Sequence, residues 1–494
     1  MIRHVRILAL TSTSAMLLSG CLVGPNYSKP PIETPPHFKE AEGWIPAQPA
    51  DAAPRGDWWA MFNDPVLDDL ERKVVISNQN IAAAEAAYRE AHAIVAEDRA
   101  QLFPTVTVNG NATRTGSHSN VPIITGTGTT TTTTGTTGTT TTATTVYSAH
   151  SSFQADAQAS WAPDLWGKIR RTVEGARASA QASAADIANA QLSAQAELAT
   201  DYVQLRADDE LKRLTDVTVE GYQRSLNITQ NQYNAGVAAK SDLLTAETQL
   251  ENAQAQSADY VRQRQLMEHA IAVLAGEPPA DLTIAPARWT LAPPDVPVSV
   301  PSSLLLRRPD VASAERQAAN ANAQIGVQVS AYYPSLNLTG EFGSSGSNLG
   351  SLFSASSTFW SLGASAAETV LDFGARKARV QQAKAAYDQA VAQYRQTVLS
   401  AFQGVEDELA AVRILAQETP LRAAASQAAD AAETIALNQY RAGTTTYTTV
   451  VVAQSTALSA RTTLISNQEN RIVAALTLIQ DLGGGWSTAQ LPAD

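Results

Sequence analysis

The sequence contains few candidate catalytic or metal-binding side chains, and their spacing does not match that of a known reactive site. The 494 residues contain no nucleophile placed beside a base, no metal-binding motif and no phosphate-binding loop. His118 and His150 flank a segment of almost pure Thr and Gly, but a metal site needs about three or four converging ligands. Acidic clusters at 208–210 and 406–408 are typical of solvated helix faces. The sequence therefore predicts a protein that is not an enzyme and that holds no metal or other cofactor.

The charge and the hydropathy of the chain limit its partners. The formal net charge is −12, which argues against nucleic acid as a partner, because a nucleic-acid surface needs clustered Lys and Arg. After residue 21 no segment approaches the roughly 18 consecutive apolar residues of a membrane-spanning helix. If the mature chain crosses a membrane, it must therefore do so with β-strands.

The N-terminus carries the pattern of a secretory signal. Basic residues precede a short apolar run and then Leu-Ser-Gly before Cys21, so residues 1–20 are predicted to be a signal peptide. This sequence resembles a bacterial lipobox, in which Cys21 becomes the mature N-terminus and carries N-acyl and S-diacylglycerol lipid. Leu22 after it favours the outer membrane by the same resemblance. Cys21 is the only cysteine, so no intrachain disulfide can form. The alternative is a chance cysteine at the end of an ordinary signal peptide.

A repeated hexapeptide indicates that the chain is a tandem repeat. Asn-Gln-Tyr-x-Ala-Gly ends at Gly236 and again at Gly443, which are 443 − 236 = 207 positions apart. Each copy lies between alanine-rich segments, and a glycine between two helices is the expected left-handed C-cap of a helical hairpin. We predict long helices over about 168–233 and 374–440, each followed by a tip and a return helix. The tips are predicted at 233–241 and 440–447. At roughly 1.5 Å per residue each long helix measures about 100 Å.

Alternation of polar and apolar residues predicts two strands in each half of the chain. The first pair flanks the Thr- and Gly-rich segment 125–145, which is predicted to be an exposed loop because such a composition cannot bury a core. The four predicted strands cover about 103–113, 152–162, 333–343 and 359–372.

Proline and glycine positions divide the chain into segments. A helix is predicted to open the first repeat at Asp64 and to continue to about Leu102, and Pro420 predicts a kink or a short break in the second long helix. The predicted order is signal peptide 1–20, lipid-anchored extended leader 21–63, first repeat 64–276, inter-repeat linker 277–308, second repeat 309–482 and tail 483–494.

Four strands are too few to close a barrel, because small closed barrels need about eight. An open sheet edge in lipid would leave backbone groups unpaired, at a cost of several kcal/mol each. If the strands enter a membrane, several copies of the chain must share one barrel. The alanine-rich helices favour the same arrangement, a ring of packed helices that extends the barrel as a tunnel.

These motifs together resemble the TolC-like outer-membrane efflux family, and within it the OprM and NodT-type lipoproteins. The resemblance rests on the lipobox at Cys21, Asp-Leu-Trp-Gly at 164–167, the hexapeptide at both tips and Leu-Gly-Gly-Gly-Trp at 482–486. It also rests on the aromatic-proline strand entries at 103–104 and 333–334. In their order and spacing they cover nearly the whole mature chain.

The resemblance implies a mixed α+β membrane protein, mostly α, located in the outer membrane and anchored in its lipid. Three copies would share a twelve-stranded β-barrel, continued by a long periplasmic α-helical barrel with an equatorial domain. The implied partners are a periplasmic adaptor protein and an inner-membrane pump of the RND type. The implied role is a passive, gated conduit for small molecules.

In members of this family the adaptor docks at the hairpin tips and the channel closes there. The resemblance therefore implies that the tips are the functional site of this chain. Counted from the tip glycine, the family's gating arginine and two aspartates fall at Thr445, Thr449 and Val452, none of which is charged. Asp242 is the nearest acidic candidate, with a helix cap or a solvated carboxylate as the alternative. Arg441 either forms an ion pair with a neighbouring residue or is a solvated surface residue.

The tip residues Tyr233 and Tyr440, with Gly236 and Gly443, are predicted to take part in docking. For both tyrosines, packing against the adjoining helix is the alternative.

Two other functions stay open. A type I protein-secretion channel shares the fold and differs in cargo and pump. A lipid-anchored periplasmic stalk or adaptor without a pore would explain the helices, but it has no use for strand pairs placed symmetrically in both halves of the chain.

Overall fold

The structure is a computed structural model, and it describes residues 22–41, 57–123, 142–294, 296 and 307–491. The predicted signal peptide 1–20 and Cys21 lie outside the described residues, as do residues 125–141 of the Thr- and Gly-rich segment. Within the described residues the chain is mostly helical with one small antiparallel sheet. The prediction of a mostly α protein with a minor β part is confirmed.

The described part of the chain contains seven α-helices and four strands, which we number in chain order. They are α1 Pro65–Ser77, α2 Gln79–Ala100, β1 Thr105–Ile123, β2 Thr142–Trp161, α3 Lys168–Asn234, α4 Lys240–Leu274, α5 Pro309–Ser330, β3 Ser335–Gly346, β4 Thr358–Ala367, α6 Ala375–Arg441 and α7 Tyr447–Asp481.

The first helical segment is broken, whereas the sequence predicts one helix from Asp64 to about Leu102. The break is at Asn78, whose backbone is extended. Its side-chain oxygen accepts hydrogen bonds from the backbone N–H groups of Asn80 at 2.9 Å and Ile81 at 3.2 Å, so Asn78 caps α2. Its side-chain NH₂ donates to the carbonyl of Leu274 at 2.8 Å. The prediction of a single helix was wrong because Asn78 leaves the helical conformation, caps α2 and binds a carbonyl far along the chain.

The four longest helices have matched lengths. Helices α3 and α6 each contain 67 residues, and α4 and α7 each contain 35. Lys168 and Ala375, where α3 and α6 begin, are separated by 375 − 168 = 207 positions. The predicted bounds of both long helices agree with the observed ones to within one residue.

The predicted break at Pro420 does not occur, because α6 runs uninterrupted through it. Proline removes one N–H donor, so a single intrahelical hydrogen bond is lost. The residues just before it contact α7: the Thr419 hydroxyl lies 2.8 Å from the Asn467 side-chain oxygen, and the Asn467 NH₂ donates to Glu418 at 3.4 Å. Helix α6 is thus continuous at Pro420, and the residues just before the proline are hydrogen-bonded to α7.

The chain folds as two compact units. The first consists of the described residues of Met1–Pro25, Ala96–Val173 and Gln324–Gln382, and it contains the sheet. The second consists of the described residues of Asn26–Val95, Glu174–Ala323 and Ala383–Asp494, and it contains both hexapeptides.

The sheet of the first unit has the order β1-β2-β3-β4, and all its pairs are antiparallel. Strands β1 and β2 are longer than predicted, since they extend to Ile123 and begin at Thr142. Residues 142–145, which the sequence assigns to a loop, belong to β2. The prediction was too short because the alternating pattern stops near residue 113, whereas backbone pairing requires no such pattern and Thr favours strands.

The second unit has one large apolar core. It joins α1, α3, α4, α6 and α7 through buried side chains that include Leu67, Tyr202, Ile271, Val405 and Ile472. No helix in the described part of the chain combines the length and the apolar character that crossing a bilayer requires.

The leader is attached to this core at two places. The Glu406 carboxylate accepts hydrogen bonds from the backbone N–H groups of Lys39 at 2.7 Å and Glu40 at 2.8 Å, and Arg413 forms an ion pair with the Glu40 side chain. Residues Trp58–Phe62 form a 3-10 helix whose two tryptophans are buried. The leader 21–63 is therefore not extended throughout, because its aromatic end belongs to the core.

Candidate functional site

The two hexapeptides form the same backbone turn. At the end of α3 the Val237 N–H donates to the Gln232 carbonyl at 2.9 Å and the Gly236 N–H donates to the Tyr233 carbonyl at 2.9 Å. These two bonds define a Schellman motif, which closes a helix with a left-handed residue. We call residues 233–239, which are the last two residues of α3 and the connection to α4, the first tip.

The turn after α6 repeats this geometry. The Thr444 N–H donates to the Gln439 carbonyl at 2.9 Å, and the Gly443 N–H donates to the Tyr440 carbonyl at 3.0 Å. We call residues 440–446 the second tip. The prediction of two glycine-capped hairpin turns is confirmed by these hydrogen bonds.

The tip glycines are needed for their backbone angles and not for lack of space. Gly236 has φ of 76° and Gly443 has φ of 72°, a left-handed conformation that disfavours side chains. A Cβ atom at either position would meet nothing within 4 Å. Both glycines therefore act as helix ends and leave the surface around them open.

The second tip is anchored by a small buried group, the tyrosine cluster, which consists of Tyr440, Tyr447, Val450 and Ala246. The rings of Tyr440 and Tyr447 lie 5.2 Å apart at an angle of 57°. The Tyr440 hydroxyl donates to the Thr229 hydroxyl oxygen on α3 at 3.2 Å. This cluster joins α3 and α4 to α6 and α7 just behind the tips.

Two glutamine side chains add polar links between the same hairpins. The Gln454 side-chain NH₂ donates to the Ser225 hydroxyl at 3.1 Å, and both residues are buried. The Gln232 side-chain NH₂ donates to the Tyr440 carbonyl at 3.5 Å. The ends of the two hairpins are thus held by apolar packing together with hydrogen bonds.

Asp242 lies beside the tyrosine cluster. Burial raises the pKa of Tyr447 to about 12, with smaller contributions from the hydroxyls of Tyr440 and Tyr222 and from the Asp242 carboxylate. Burial also raises the pKa of Tyr440; its hydrogen bond to Thr229 opposes this rise and Asp242 adds to it. The only acidic candidate at the tips is therefore close enough to act on both buried phenols.

Asp242 does not cap α4. A helix cap was one of the two alternatives to a gating role for this residue. The helix begins at Lys240 with Ala239 as its N-cap, and no side chain caps it. Asp242 is half-buried in the first turn, and its side chain makes no hydrogen bond or ion pair within the described residues. A carboxylate near a helix N-terminus is favoured by the helix dipole, so this position suits a negative charge without a capping bond.

The other gate candidates lie around the second tip. Arg441 is the last residue of α6 and is exposed, Thr445 is half-buried, and Thr449 and Val452 are exposed on the first turns of α7. The Thr449 hydroxyl contacts the Thr446 hydroxyl at 3.3 Å. In the part of the chain that the structure describes, Arg441 makes no ion pair with Asp242.

Charged contacts behind the tips were missed by the sequence analysis. Arg461 on α7 donates to Asp430 at 2.7 Å and to Glu433 at 2.9 Å, both on α6. The partners are 31 and 28 residues away on another helix. No local pattern in the sequence indicates these contacts, because they depend on how α6 and α7 pack against each other.

The acidic cluster 208–210 was wrongly expected to be a solvated face. Asp208 and Asp209 are buried, and Asp209 pairs with Arg206 at 3.1 Å and with Arg264 at 2.7 Å. Burial raises the pKa of Asp208 to about 6, with the charges of Asp209 and Asp259 adding to the rise. Two arginines from different parts of the chain thus stabilise one carboxylate of the cluster.

Metal ligands do not converge in the described residues, where no group of three or more His, Cys, Asp or Glu side chains is placed to hold an ion. His150 lies on β2 and is exposed. The described tips therefore present apolar, hydroxyl and scattered charged groups, which suit contact with a protein or the lining of a passage.

The fold and the tips define a class of protein that comparison with known families identifies. The model of the outer membrane efflux protein family matches residues 72–277 and 300–484. The chain belongs to this family. Its members are outer-membrane channel components of efflux pumps, and the family is not one of enzymes.

Individual relatives are similar over nearly their whole length. The chain is 31% identical over 480 residues to the probable efflux pump outer membrane protein TtgC of Pseudomonas putida, covering 96% of this chain and 95% of the relative. It is 28% identical to the solvent efflux pump outer membrane protein SrpC of Pseudomonas putida, covering 98% and 99%. The solved outer-membrane channel OprN is 27% identical, with a TM-score of 0.82, over 94% of this chain and all of that one.

Proposed function

We propose that the protein is the outer-membrane channel of a tripartite efflux pump, a passive gated conduit that carries small molecules out of the cell. It performs no catalysis, and the energy for transport comes from an inner-membrane pump of the RND type, reached through a periplasmic adaptor. Its family and the names of its relatives, which describe efflux pump outer membrane proteins, support this proposal.

The observation that carries the proposal is the four-stranded sheet of the first unit. Within the described residues β1 and β4 each have a neighbour on one side only. One face of the sheet exposes large apolar side chains, with Val108 at 82%, Trp360 at 72% and Leu362 at 80%. An apolar face suits lipid, and open edges in lipid need partner strands. Three copies would supply twelve strands and close them as a shared barrel.

The helices of the second unit support the same assembly. The equal lengths of α3 with α6 and of α4 with α7 fit two tandem structural repeats. Several large apolar side chains on α6 are exposed in the single chain, among them Leu399, Leu421 and Ile435. Exposed apolar surface of this kind is typical of interfaces, so neighbouring copies would build a long periplasmic helical barrel.

The anchor in the outer membrane is proposed to be lipid on Cys21. The lipobox-like sequence before it and the family's location support this attachment. Replacing Cys21 by Ser should abolish incorporation of labelled palmitate while leaving the folded trimer in the membrane fraction, because the strands would still hold it there. Palmitate incorporation that persists in the variant would contradict the proposal.

The tips are proposed to dock the adaptor and to close the periplasmic mouth. Tyr233 is 38% exposed and Val237 is 75% exposed at the first tip, where the open surface around Gly236 would admit a partner. Gly443 and Tyr440 would shape the second tip. The side chains of Asp242, Arg441, Thr445, Thr449 and Val452 would line or border the opening.

The channel itself is tested with purified protein. We expect an oligomer that resists dissociation in detergent gels without boiling, a molar mass of three chains by light scattering, and conductance in planar lipid bilayers. A monomer that is rich in helix and gives no conductance would overturn the proposal in favour of a stalk.

The gate is tested at Asp242. Asp242→Asn removes the charge beside Tyr440 and Tyr447 with little change of shape, so we expect a higher resting conductance and greater sensitivity of cells to vancomycin-sized antibiotics. Glu251→Gln is the matched control, because it also removes one carboxylate charge with little change of shape, on the same helix α4 but at an exposed position outside the proposed gate. Unchanged conductance in Asp242→Asn would remove Asp242 from the gate and leave the channel proposal intact.

A further inference from the structure

The motif Leu-Gly-Gly-Gly-Trp at 482–486, which directly follows α7, borders a cavity that neither the sheet nor the tips share. The cavity has a volume of about 130 Å³. Residues 188–195 of α3 line one side of it, and residues 483–490 line the other. Both segments belong to the second unit. We call this space the tail cavity.

The wall of the tail cavity is a tight turn at the end of α7. The Gly484 N–H donates to the Ile479 carbonyl at 3.0 Å and the Gly483 N–H donates to the Gln480 carbonyl at 2.9 Å, which is the same Schellman motif as at the tips. A Cβ atom on Gly484 would lie 2.3 Å from the Leu192 side chain. The glycine therefore lets the chain approach α3 closely.

Several polar side chains that line the tail cavity are not used by the chain. They are the carboxamides of Gln191, Gln195 and Gln490 and the indole N–H of Trp486, and within the described residues none of them forms a hydrogen bond. Gln195 is only 4% exposed, and its side-chain NH₂ is buried without a partner. Buried polar groups are nearly always hydrogen-bonded, because an unpaired one costs free energy. Gln195 thus indicates an occupant that accepts a hydrogen bond.

The other repeat has no such polar surface at the corresponding positions. The offset of 207 carries Gln191 to Val398 and Gln195 to Phe402 on α6. Both of these residues are apolar and belong to the large core. The Gly-Gly-Trp part of the motif corresponds to Glu-Pro-Pro at 277–279. A long helix of this fold therefore accepts apolar residues here, and the carboxamides are a feature of one repeat.

The lining determines which ligand chemistry fits. No ionisable side chain of the described residues lines the tail cavity, so the charge of an ion would stay uncompensated there. Carboxamides both donate and accept hydrogen bonds, and the Trp486 indole adds an apolar face with one N–H. The volume is several times the share of about 30 Å³ that one water molecule takes. The space therefore suits a small neutral ring with hydroxyl groups.

We propose that the tail cavity binds one ring of a neutral sugar. The buried NH₂ of Gln195 donates to a sugar hydroxyl oxygen, and the carboxamides of Gln191 and Gln490 bind the other hydroxyls. The Trp486 indole packs on the apolar C–H face of the ring. This site goes beyond the proposed channel and does not depend on it. Free sugars and the terminal or internal rings of a glycan chain share this chemistry.

Binding is tested with the full-length protein in detergent by calorimetric titration and saturation-transfer NMR. The probes are glucose, galactose and N-acetylglucosamine as single rings, and the linear trimer of N-acetylglucosamine as a chain. We expect at least one neutral sugar to bind, with one site per chain. Glucuronate should bind at least ten-fold more weakly than the best neutral sugar, because its carboxylate finds no cation in the cavity. Glucuronate binding as tightly would overturn the proposal.

The contribution of the buried carboxamide is tested with Gln195→Leu, which keeps the size of the side chain and removes its polar atoms. We expect affinity for the sugar to fall at least ten-fold. The melting temperature should stay the same or rise, because an unpaired buried donor is removed. Gln254→Leu is the matched control, since Gln254 is exposed on α4 and lies outside the cavity. Sugar affinity that is equal in Gln195→Leu and in the parent protein would overturn the proposal.

The stacking contact has a separate readout that does not depend on the folding of Gln195→Leu. Trp486→Phe keeps an aromatic face and loses only the N–H, whereas Trp486→Ala loses both. Sugar affinity should therefore fall less in Trp486→Phe than in Trp486→Ala. Equal affinity in these two variants and in the parent would overturn the proposed binding mode.

The remaining outcomes also decide the question. If none of the neutral sugars binds to the folded protein, the cavity holds water only and the proposal is overturned. Conductance is measured on the same preparation, so this failure leaves the proposed channel intact. Tighter binding of the trimer than of the single ring supports the site and identifies a glycan chain as the source of the ring. Equal binding supports the site and identifies a free sugar.

Discussion

The two hairpin tips have the same hexapeptide and the same backbone, yet their tyrosines differ. Tyr440 is 5% exposed and packs in the tyrosine cluster, whereas Tyr233 is 38% exposed. The residue 207 positions before Tyr447 is Lys240, so the helix after the first tip begins with an aliphatic ammonium where the helix after the second tip begins with an aromatic ring. A local motif determines the turn, but the next helix determines whether the turn's tyrosine is buried.

Removing the buried tyrosine should have the largest effect. Tyr440→Ala deletes a buried aromatic ring, which costs about 3–5 kcal/mol. We expect residues 437–450 to lose protection in hydrogen-exchange mass spectrometry. Tyr233→Ala should change protection at the first tip only slightly. Equal losses of protection at the two tips would show that Tyr233 is buried in the assembled protein, although it is exposed in the single chain.

The second-largest effect is expected from alkaline pH, which should lower the stability of the tyrosine cluster behind the second tip. The pKa of Tyr447 is raised to about 12, above the value of about 10 for an unfolded tyrosine. The folded state therefore favours the neutral phenol, and its contribution to stability is present below about pH 10 and lost as pH rises through about 12. The loss is on the order of 2–3 kcal/mol.

This titration is measured by phenolate absorbance. The difference between the titration curves of the parent protein and of Tyr447→Phe should show one group ionising near pH 12. A difference curve centred near pH 10 would mean that the cluster is open to solvent.

Substitution of the tip glycines should have a smaller effect that is the same at both tips. Gly236→Ala and Gly443→Ala each place a Cβ in the left-handed region, at about 1–2 kcal/mol, and neither meets a neighbouring atom. Gly276→Ala should be worse, because its Cβ would lie 2.2 Å from the Ser77 carbonyl oxygen. Thermal unfolding of the three variants gives the order, and a larger loss at one tip would reveal a neighbour that the single chain lacks.

Changing the first tip toward the second should have the smallest effect. Lys240→Tyr supplies a ring near Tyr233, and an aromatic pair contributes about 0.5–1.5 kcal/mol beyond its buried area. Hydrogen exchange at residues 230–243 should slow by a corresponding factor. No change would mean that Thr229 and Val450, and not the ring of Tyr447, account for the burial of Tyr440.

The long helices were predictable because local signals define them. Proline-poor, alanine-rich segments end at glycines with left-handed backbone, so the predicted ends of α3 and α6 fall within one residue of the observed ends. The break at Asn78 has a local signal, since Asn is a preferred N-cap and here caps α2, but its hydrogen bond to the Leu274 carbonyl 196 residues away has none. Pairing of strands beyond residue 113 likewise depends on the partner strand.

The two glycine turns were predicted where the structure has them, whereas the side chains packed around them were not. The glycine turns and Asp242 followed from spacing, and the structure adds the tyrosine cluster, whose members come from α4, α6 and α7. Burial of Asp208 and Asp209 and the Arg461 contacts involve helices that meet only in the folded chain. Side-chain neighbours of this kind have no periodic signature in one sequence.

The Glu406 contact has a practical consequence for labelling. Glu406 binds the main chain of residues 39 and 40, and the Lys39 side chain is 89% exposed. These two main-chain hydrogen bonds therefore do not depend on which side chain occupies position 39. A fluorescent dye attached there, through a cysteine in a Cys21→Ser background, would report detachment of the leader without itself causing it.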